Sequence, residues 1–443
     1  MANTYISRTQ ANGTSSQKFT VSCWVKRSGI GATGALWGSG SSTTDGCDLF
    51  MQTNGELGFE SWDTSVNPKV ITTRKLRDSS GWYHIVLAVD TTQGTAANRV
   101  KMYINGVQET VFGTANYPAQ NYNFMVSTTN DVMKFGVGGQ YATSYWNGSM
   151  SYVAFVDGTQ EVPTIFGETD ATTGEWKIKT TITPSVAWGT NGCLLLKDGN
   201  SLTDQSDNSN NFSLAGGTLT KTEDCPDNVF TTLNPLNAYY TNSTFSNGNT
   251  TFASGNSSSG TVGNILLDTG KWYWEVKAVS KAGGGDNYGI GIQGQDATAT
   301  NQFPGDQASG WMFYGGGNYY TGGSGTSAGV TYTAGDIIGV ALDLTNNKLY
   351  FSKNGTYILS GNPTTGANGI SITASASVPL GGYYPSQTFW ENSTSGTFSC
   401  NFGNGTFGTS AVSSAGTNAS GIGIFEYDVP TGYTAISTKG LNS

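Results

Sequence analysis

Two segments of the chain, about 250 residues apart, follow the same local pattern. Each begins with an apolar run that ends in aspartate, at Ala88–Asp90 and at Gly339–Asp343, and continues through a turn into an alternating strand. Each alternating strand contains a tyrosine and ends in Asn-Gly, at Asn105 and Asn354. Asn-Gly is the preferred type I′ hairpin turn, because both central residues take a positive φ. A buried strand followed by such a hairpin, used twice, predicts two β-sandwiches of related design.

The composition favours the same fold class. Only 12% of the 443 residues are charged, whereas the chain has 62 Gly, 22 Tyr, 20 Phe and 11 Trp. Long helices need Ala, Leu, Glu, Lys and Arg, which are scarce, and disordered chains lack aromatic residues. The chain is therefore predicted to be all-β, with antiparallel sandwiches of jelly-roll type whose strands are separated by Gly and Asn turns.

Alternation of apolar and polar residues identifies the strands of the first half. In Phe19–Val25, every second residue from Phe19 is apolar, which gives one buried face. Trp82–Asp90 is apolar on both faces, as expected of a strand inside a sandwich. Further strands are predicted at Arg99–Gln108, Lys134–Gly138 and Gly148–Val156.

The domain boundaries follow from where this periodicity weakens. We predict a first sandwich over residues 1–158, a connector packed on the domains over 159–249, and a second sandwich with a C-terminal extension over 250–443. Residues 242–260 are nearly all Ser, Thr, Asn and Gly, which predicts an exposed loop or an edge hairpin.

Charge and hydropathy exclude several classes of partner. The net charge is −9, which disfavours a nucleic-acid-binding surface. No apolar stretch approaches 18 residues, and the opening MANTYISRTQ lacks the apolar run of a signal peptide. We therefore expect synthesis in a cytosol and no membrane insertion. The cysteines are odd in number, widely spaced and without a C-x-x-C pair, which predicts free, mostly buried thiols at Cys23, Cys47, Cys193, Cys225 and Cys400.

The first half resembles a known family. Over about residues 5–158 it contains, in order, FTVSCWVKR, GWYHIVLAVD, RVKMYINGVQ, FGVGG and WNGSMSYVAFVDG. This set resembles the laminin G-like branch of the concanavalin A-like sandwiches. The resemblance implies a β-sandwich, in agreement with the alternation of the strands.

The second half resembles another family of related architecture. Over about residues 250–408 it contains GKWYWEV, YGIGI, GDIIGVALD and LYFSKNG, which is similar to a SPRY domain. SPRY domains are also concanavalin-like sandwiches, so the resemblance implies the same fold for both halves.

The pairing of the two domains, with the FGETD and PDNVFTTLNPL stretches between them, resembles virion structural proteins of marine tailed phages. The closing VPTGYTAI is similar to the ends of those chains. The resemblance implies a protein of the virion surface, assembled in the host cytoplasm beside other virion proteins, as a homo-oligomer and by analogy a trimer. A fibre that binds a host receptor is one implied role. Tail fibres usually begin with a docking domain, whereas this chain enters its sandwich almost at once, so a purely structural capsid decoration or head fibre is the alternative.

Few residues suit catalysis. His84, which any Ser-His-Asp triad would have to use, is the only histidine and lies midway along a predicted strand. Sandwich glucanases of this superfold carry the spacing E-x-D-x-x-E, but after Glu426 and Asp428 the third carboxylate position is threonine. A glycan-degrading enzyme would use these two residues, or Glu60 and Asp63. We predict a protein that is not an enzyme.

Glu56 lies close to that second pair in the sequence. In a strand, Glu56 and Glu60 share one face and Asp63 points to the other. This arrangement does not give a pair of carboxylates at a defined separation, so it does not predict a catalytic centre.

One loop has the oxygen ligands of a weak calcium site. Residues Asp204–Asn210 place carboxylate and amide oxygens at alternating positions, but Ser209 replaces the glycine of a calcium loop and the closing Glu is missing. Asx-turns explain the same residues. We expect no cofactor, with calcium at this loop as the alternative.

Aromatic residues in glycine-rich, polar surroundings are the candidate binding residues. Tyrosine and tryptophan suit the apolar faces of sugar rings and equally anchor protein interfaces or fill a core. Packing, protein contact and contact with a host-surface glycan are therefore all open for Tyr141, Tyr145, Trp146, Trp311, Tyr314, Tyr319, Tyr320 and Trp390.

Overall fold

The computed structural model is nearly all β, which confirms the predicted fold class. The chain divides into two compact units, Met1–Lys221 and Thr222–Ser443. The residues predicted to form a connector therefore fall partly in each unit. The structure describes residues 3–29, 31–40, 45–63, 67–139, 143–182, 186–197, 199–239, 243–255, 258–282, 287–296, 303–390 and 395–442.

The first unit is a sandwich of two antiparallel sheets. One sheet has the order β10-β6-β5-β4-β3-β11-β1-β16 and the other β15-β12-β2-β7-β8-β9, while β13 and β14 form a separate hairpin. Two 3-10 turns occur at Ala96–Asn98 and Pro163–Ile165. The strands are β1 (Tyr5–Thr9), β2 (Lys18–Arg27), β3 (Gly34–Ser39), β4 (Gly46–Met51), β5 (Glu56–Trp62), β6 (Lys69–Lys75), β7 (Tyr83–Asp90), β8 (Val100–Ile104), β9 (Val107–Gln108), β10 (Phe112–Asn116), β11 (Val132–Phe135), β12 (Gly148–Asp157), β13 (Gly167–Thr169), β14 (Trp176–Ile178), β15 (Cys193–Leu195) and β16 (Ser213–Gly216).

The second unit is also a sandwich. One sheet has the order β17-β20-β30-β22-β23-β24-β25 and the other β18-β19-β31-β21-β26-β27-β28, with β29 added to β27 and β34 added in parallel to β21. Three 3-10 turns lie at Pro304–Asp306, Ile358–Ser360 and Ser375–Ser377, and a short helix α1 at Thr438–Leu441. The strands are β17 (Leu233–Tyr239), β18 (Ser243–Ser246), β19 (Thr251–Ser254), β20 (Ser259–Gly263), β21 (Lys271–Ala282), β22 (Tyr288–Gln293), β23 (Gly310–Tyr314), β24 (Asn318–Thr321), β25 (Ser324–Ser327), β26 (Ile337–Asp343), β27 (Lys348–Lys353), β28 (Thr356–Tyr357), β29 (Ile370–Ser371), β30 (Tyr384–Phe389), β31 (Ser395–Asn401), β32 (Thr406–Phe407), β33 (Ser410–Ala411) and β34 (Thr434–Ala435).

Each unit has its own apolar core. The predicted inward face of β2 is confirmed, since its alternate residues from Phe19 to Val25 pack with aromatic rings from both sheets of the first unit. In the second unit, Phe389 lies between rings from both sheets, including Phe398 and Tyr288. The prediction for the cysteines is confirmed: all five are free thiols, and only Cys225 is partly exposed.

The repeated sequence pattern corresponds to a repeated piece of sheet. Strands β12-β2-β7-β8 of the first unit and β31-β21-β26-β27 of the second have the same order and the same antiparallel pairing. Asn105 and Gly106 have φ of 49° and 79°, and Asn354 and Gly355 have 48° and 82°, as the predicted type I′ turn requires.

The two pieces of sheet also share an ion pair and a hydrogen bond at the turn. Lys18 lies opposite Asp90 and Lys271 opposite Asp343, with Nζ to Oδ2 distances of 3.6 and 3.0 Å. The turn asparagine of each hairpin accepts a backbone N–H at 2.8 Å through its Oδ1 atom. The shared register lets positions be matched one to one between the units.

Within the described ranges, no helix is long and apolar enough to cross a bilayer.

Candidate binding site

His84 lies completely buried on β7. The segment that follows β12 covers the outer face of this sheet with Phe166, Trp176 and Trp188, and we call it the covering segment of the first unit. The His84 ring stacks between Trp24 and Trp176, with centroids 4.8 and 5.9 Å away. The Trp176 Nε1–H donates to His84 Nδ1 at 3.1 Å. The proton of the neutral ring is therefore on Nε2, which donates to Ser22 Oγ at 2.9 Å. Burial lowers the pKa of His84 to about 3, so the ring stays neutral and joins Ser22 to Trp176 by hydrogen bonds.

The candidate carboxylates each take part in a local contact. Glu60 forms an ion pair with Lys69 at 2.7 Å, and Asp63 accepts the Tyr122 hydroxyl at 2.6 Å. Asp428 accepts the backbone N–H of Thr417 at 2.7 Å. The remaining two, Glu56 and Glu426, contact Lys75 and Ser413.

In the loop proposed for calcium, the carboxylate of Asp204 is surrounded by hydrogen-bond donors. It accepts the backbone N–H groups of Leu194, Ser206 and Asn210 at 2.8, 2.9 and 2.7 Å. The Ser206 hydroxyl donates to it at 2.7 Å. These donors occupy the directions from which a cation would have to approach. Across the part of the chain that the structure describes, no three His, Cys, Asp or Glu side chains gather as a metal site.

We expect Asp204→Ala to lower the free energy of unfolding of the first unit by about 2 to 3 kcal/mol, because several buried donors lose their acceptor. Urea unfolding measures this change. The matched control is Asp207→Ala, at an exposed position of the same loop, which is expected to change stability by less than about 0.5 kcal/mol. A rise in thermal stability on adding calcium, lost in the Asp204 variant, would contradict the structural role.

The candidate aromatics of the first unit are only partly exposed. Tyr145 lies 6.1 Å from Tyr5, ring to ring, and Trp146 packs against the core and donates its Nε1–H to the Ser149 carbonyl at 3.3 Å. Tyr141 lies outside the described residues.

In the second unit, two of the candidate residues are buried. Trp311 is 5% exposed and packs edge-on against Tyr383 in the core, and Tyr314 is 4% exposed. Both lie on β23, which is buried on both faces because the Pro304–Asp306 turn covers its outer side. These two rings therefore contribute to packing.

Trp390 is the exposed aromatic residue of this group, with 37% of its surface accessible. Its ring stacks on Phe303, with centroids 4.6 Å apart and planes inclined by 24°. Its backbone N–H donates to the Asn287 carbonyl at 2.7 Å. Phe303 thus covers one face of the indole, and the backbone at Trp390 is fixed by the Asn287 carbonyl.

The Phe303–Trp390 pair is joined to a second aromatic pair through the turn that follows Phe303. Tyr314 and Tyr320 contact edge to face with centroids 5.3 Å apart, and Gly305 lies against both rings. Tyr320 and the neighbouring Tyr319 are half-buried. Phe303 is the residue that sequence reasoning does not single out, since its partner is distant in the chain. A phenylalanine before Pro-Gly in a polar stretch is the one local signal.

Family models match each unit separately. The model described as the concanavalin A-like lectin/glucanases superfamily matches residues 1–165, and the SPRY domain model matches residues 271–401. The chain carries a concanavalin A-like domain and a SPRY domain. This confirms the two resemblances found in the sequence, and the Phe303–Trp390 pair belongs to the SPRY domain.

Curated relatives match about a fifth of the chain. Ran-binding protein 9 of Danio rerio is 38% identical over 89 residues, which are 19% of this chain and 14% of the relative. Ran-binding protein 9 of Homo sapiens is 39% identical over 89 residues, 19% of this chain and 12% of the relative. The chain therefore spans only about a seventh of the length of these relatives.

Parts of the chain are similar to solved structures. The SPRY domain of human HERC1 is 17% identical, with a TM-score of 0.31, and covers 38% of this chain and 96% of its own. A pentraxin of Limulus polyphemus is 15% identical, with a TM-score of 0.28, and covers 36% of this chain and 72% of its own.

Proposed function

We propose that this chain is a non-enzymatic recognition protein of the phage particle surface that binds a host glycan through Trp390 of its SPRY domain. The observation that carries the proposal is the exposed indole of Trp390, which stacks on Phe303 while the Asn287 carbonyl fixes the backbone below it. A side chain already fixed in place loses little conformational entropy when it binds.

The chemistry around Trp390 suits a neutral, polyhydroxylated ligand. A sugar ring presents an apolar face of C–H groups, which stacks on an indole, and a rim of hydroxyl groups. No charged residue occurs between Gln307 and Gly335, which contain Tyr319 and Tyr320. Asp306, in the turn after Phe303, and Glu391, next to Trp390 in the sequence, are acidic, which disfavours an anionic ligand. A surface protein of the host is the alternative ligand, since tryptophan also anchors protein interfaces.

Display in several copies belongs to the proposal. One exposed tryptophan gives weak binding, whereas linked copies raise the overall avidity by about 10² to 10⁴. The resemblance to virion proteins supports many copies beside other virion proteins, with a homotrimer as the expected state of a fibre. Labelling intact particles with an antibody against the chain distinguishes a tail position from a capsid position, and labelling of neither contradicts the virion role.

Replacing Trp390 with alanine is expected to weaken binding to host cells and to a host-glycan array by about tenfold or more. The expected cause is loss of the exposed ring face. The measurement uses the protein immobilised at high density, so that the avidity of copies is retained. Trp390→Phe keeps an aromatic face and is expected to retain most of the binding.

The matched control is Leu236→Ala, which removes an apolar side chain that is 69% exposed in the same unit. This variant should bind as the wild type does. Equal binding by all variants would remove Trp390 from the site. If protease treatment of the host cells abolishes binding and the glycan array shows no binding, the ligand is a host surface protein.

A further inference from the structure

The chain beyond the residues matched by the SPRY model folds back over that domain. We call residues 412–437 the strap. It lies on the outer face of β21, β26 and β27, where Phe425, Val429 and Tyr433 pack against Tyr273 and Tyr350. Its strand pairing is that of the two residues of β34, which lie in parallel beside β21, and isolated bridges join Ile424 to Asn404 and Ser437 to Phe230.

Under the strap lies one fully buried carboxyl group, that of Glu275 on β21. The backbone N–H groups of Glu426 and Tyr427 donate to its two oxygens at 2.9 and 2.8 Å. The Tyr273 hydroxyl lies 3.1 Å from Oε1 and the Asn401 Nδ2 atom 3.2 Å from Oε2. Glu275 therefore joins the strap backbone to the sheet.

The first unit fastens its covering segment at the matching position. Counting from the Lys-Asp pair of each unit, Ser22 and Glu275 are both four residues along the strand (18 to 22 and 271 to 275). Ser22 acts through the neutral ring of His84, which holds Trp176. In the second unit Glu275 occupies this position, so the group that binds the strap can ionise.

We propose that the strap is a pH-sensitive cover of the SPRY domain, which is closed most firmly while Glu275 carries a proton and opens more often once that carboxyl group is ionised.

The hydrogen bonds around Glu275 are compatible with both states. The Tyr273 hydroxyl can donate to the carboxylate or accept the proton of the carboxyl group. Asn401 Nδ2 is a fixed donor, because its Oδ1 atom already accepts the N–H groups of Gly403 and Gly405. Its bond and that of the Glu426 N–H both go to Oε2 and persist when the proton is on Oε1, and the lone pair left on Oε1 still accepts the Tyr427 N–H.

Among the described residues, the titratable groups that face Glu275 carry no positive charge. They are Tyr273 of β21, Tyr357 of β28, and Glu426 and Tyr427 of the strap. Burial raises the pKa values of all three tyrosines, so they stay neutral near pH 8. Asp336, whose charge also raises the pKa of Tyr427, forms an ion pair with Lys353 at 3.0 Å. An ionised Glu275 is thus a buried charge held by hydrogen bonds alone.

The direction of the pH effect follows from these surroundings. Burial raises the pKa of Glu275 to about 7, although its four hydrogen-bond donors act in the opposite sense. When the strap opens, water reaches the carboxyl group and its pKa returns toward 4.5. The closed state therefore binds a proton more tightly, and closure weakens as pH rises from about 4.5 through 7 and levels off once the carboxyl group is ionised in both states.

Hydrogen exchange on the full chain tests the proposal. After correction for the intrinsic exchange rate, the protection of the Glu426 and Tyr427 amides is expected to fall about tenfold between pH 6 and pH 8. In Glu275→Gln, which cannot ionise, protection is expected to be the same at both pH values. The amide of Asp157, which bonds Trp188 in the first unit, is the reference and should not change.

Two results would overturn the proposal. One is protection of the two strap amides that is constant or rises between pH 6 and pH 8 in the wild type. The other is an equal fall in Glu275→Gln. If that variant does not fold, the carbon chemical shift of the Glu275 carboxyl group is followed against pH in the wild type. Titration below pH 5 would overturn the proposal, because the closed state would then carry no proton on Glu275 near neutral pH.

Discussion

Phe389→Ala is expected to lower the free energy of unfolding of the SPRY domain by about 3 to 5 kcal/mol, because the change leaves a cavity at the centre of its core. The Phe389 ring is completely buried and stacks on Phe398 with centroids 4.7 Å apart. It also contacts Phe252 at 5.7 Å and Tyr288 at 6.4 Å. Both sheets of the sandwich therefore lose a shared contact.

Urea unfolding, followed through the exchange of amides in β22 and β31, measures this loss. Phe389→Leu fills most of the same space and is expected to cost less than half as much. An alanine variant within about 1 kcal/mol of the wild type would mean that this ring is not central to the core.

Acid is expected to destabilise the concanavalin A-like domain through His84. The pKa of this side chain is lowered from 6.5 to about 3 in the folded domain, so the unfolded chain takes up a proton that the folded domain excludes. Stability is therefore complete above pH 6.5 and is lost as pH falls toward 3. Between pH 6.5 and 5 the expected loss is about 2 kcal/mol.

His84→Phe provides the comparison, since it keeps a ring between Trp24 and Trp176 but cannot take up a proton. Its stability is expected to be lower than that of the wild type at pH 7, because Trp176 Nε1–H and Ser22 lose their partner, and to change little down to pH 5. Equal slopes for the two proteins in this range would show that His84 does not exclude the proton. The sign is opposite to that for Glu275, whose domain gains stability as pH falls through the same range.

The parts of the fold that depend on neighbouring residues were predictable from the sequence. Alternation from Phe19 to Val25 gave the buried face of β2, and Asn-Gly at residues 105 and 354 gave both hairpins, because these signals arise from local backbone geometry. The two sandwiches followed from repetition of that local pattern.

The parts that depend on distant segments were not predictable in the same way. Trp311 is a candidate binding residue in the sequence because glycines surround it, but its ring lies on the inner face of β23 and packs against Tyr383, about 70 residues further along the chain. The contact of Trp390 with Phe303, and of Glu275 with the strap, join residues widely separated in the chain. Neither contact leaves a pattern in the sequence near the residues involved.

The matching fastenings at Ser22 and Glu275 have a consequence for protein engineering. Four corresponding strands in each unit hold a covering segment, through the neutral imidazole of His84 in the first unit and through the carboxyl group of Glu275 in the second. The two sheets share one design, and the group that holds the covering segment, His84 on β7 with Ser22 or Glu275 on β21, decides how that segment responds to pH. Exchanging that group and its partners between the two domains offers a way to graft acid-sensitive or acid-tolerant covers onto one scaffold.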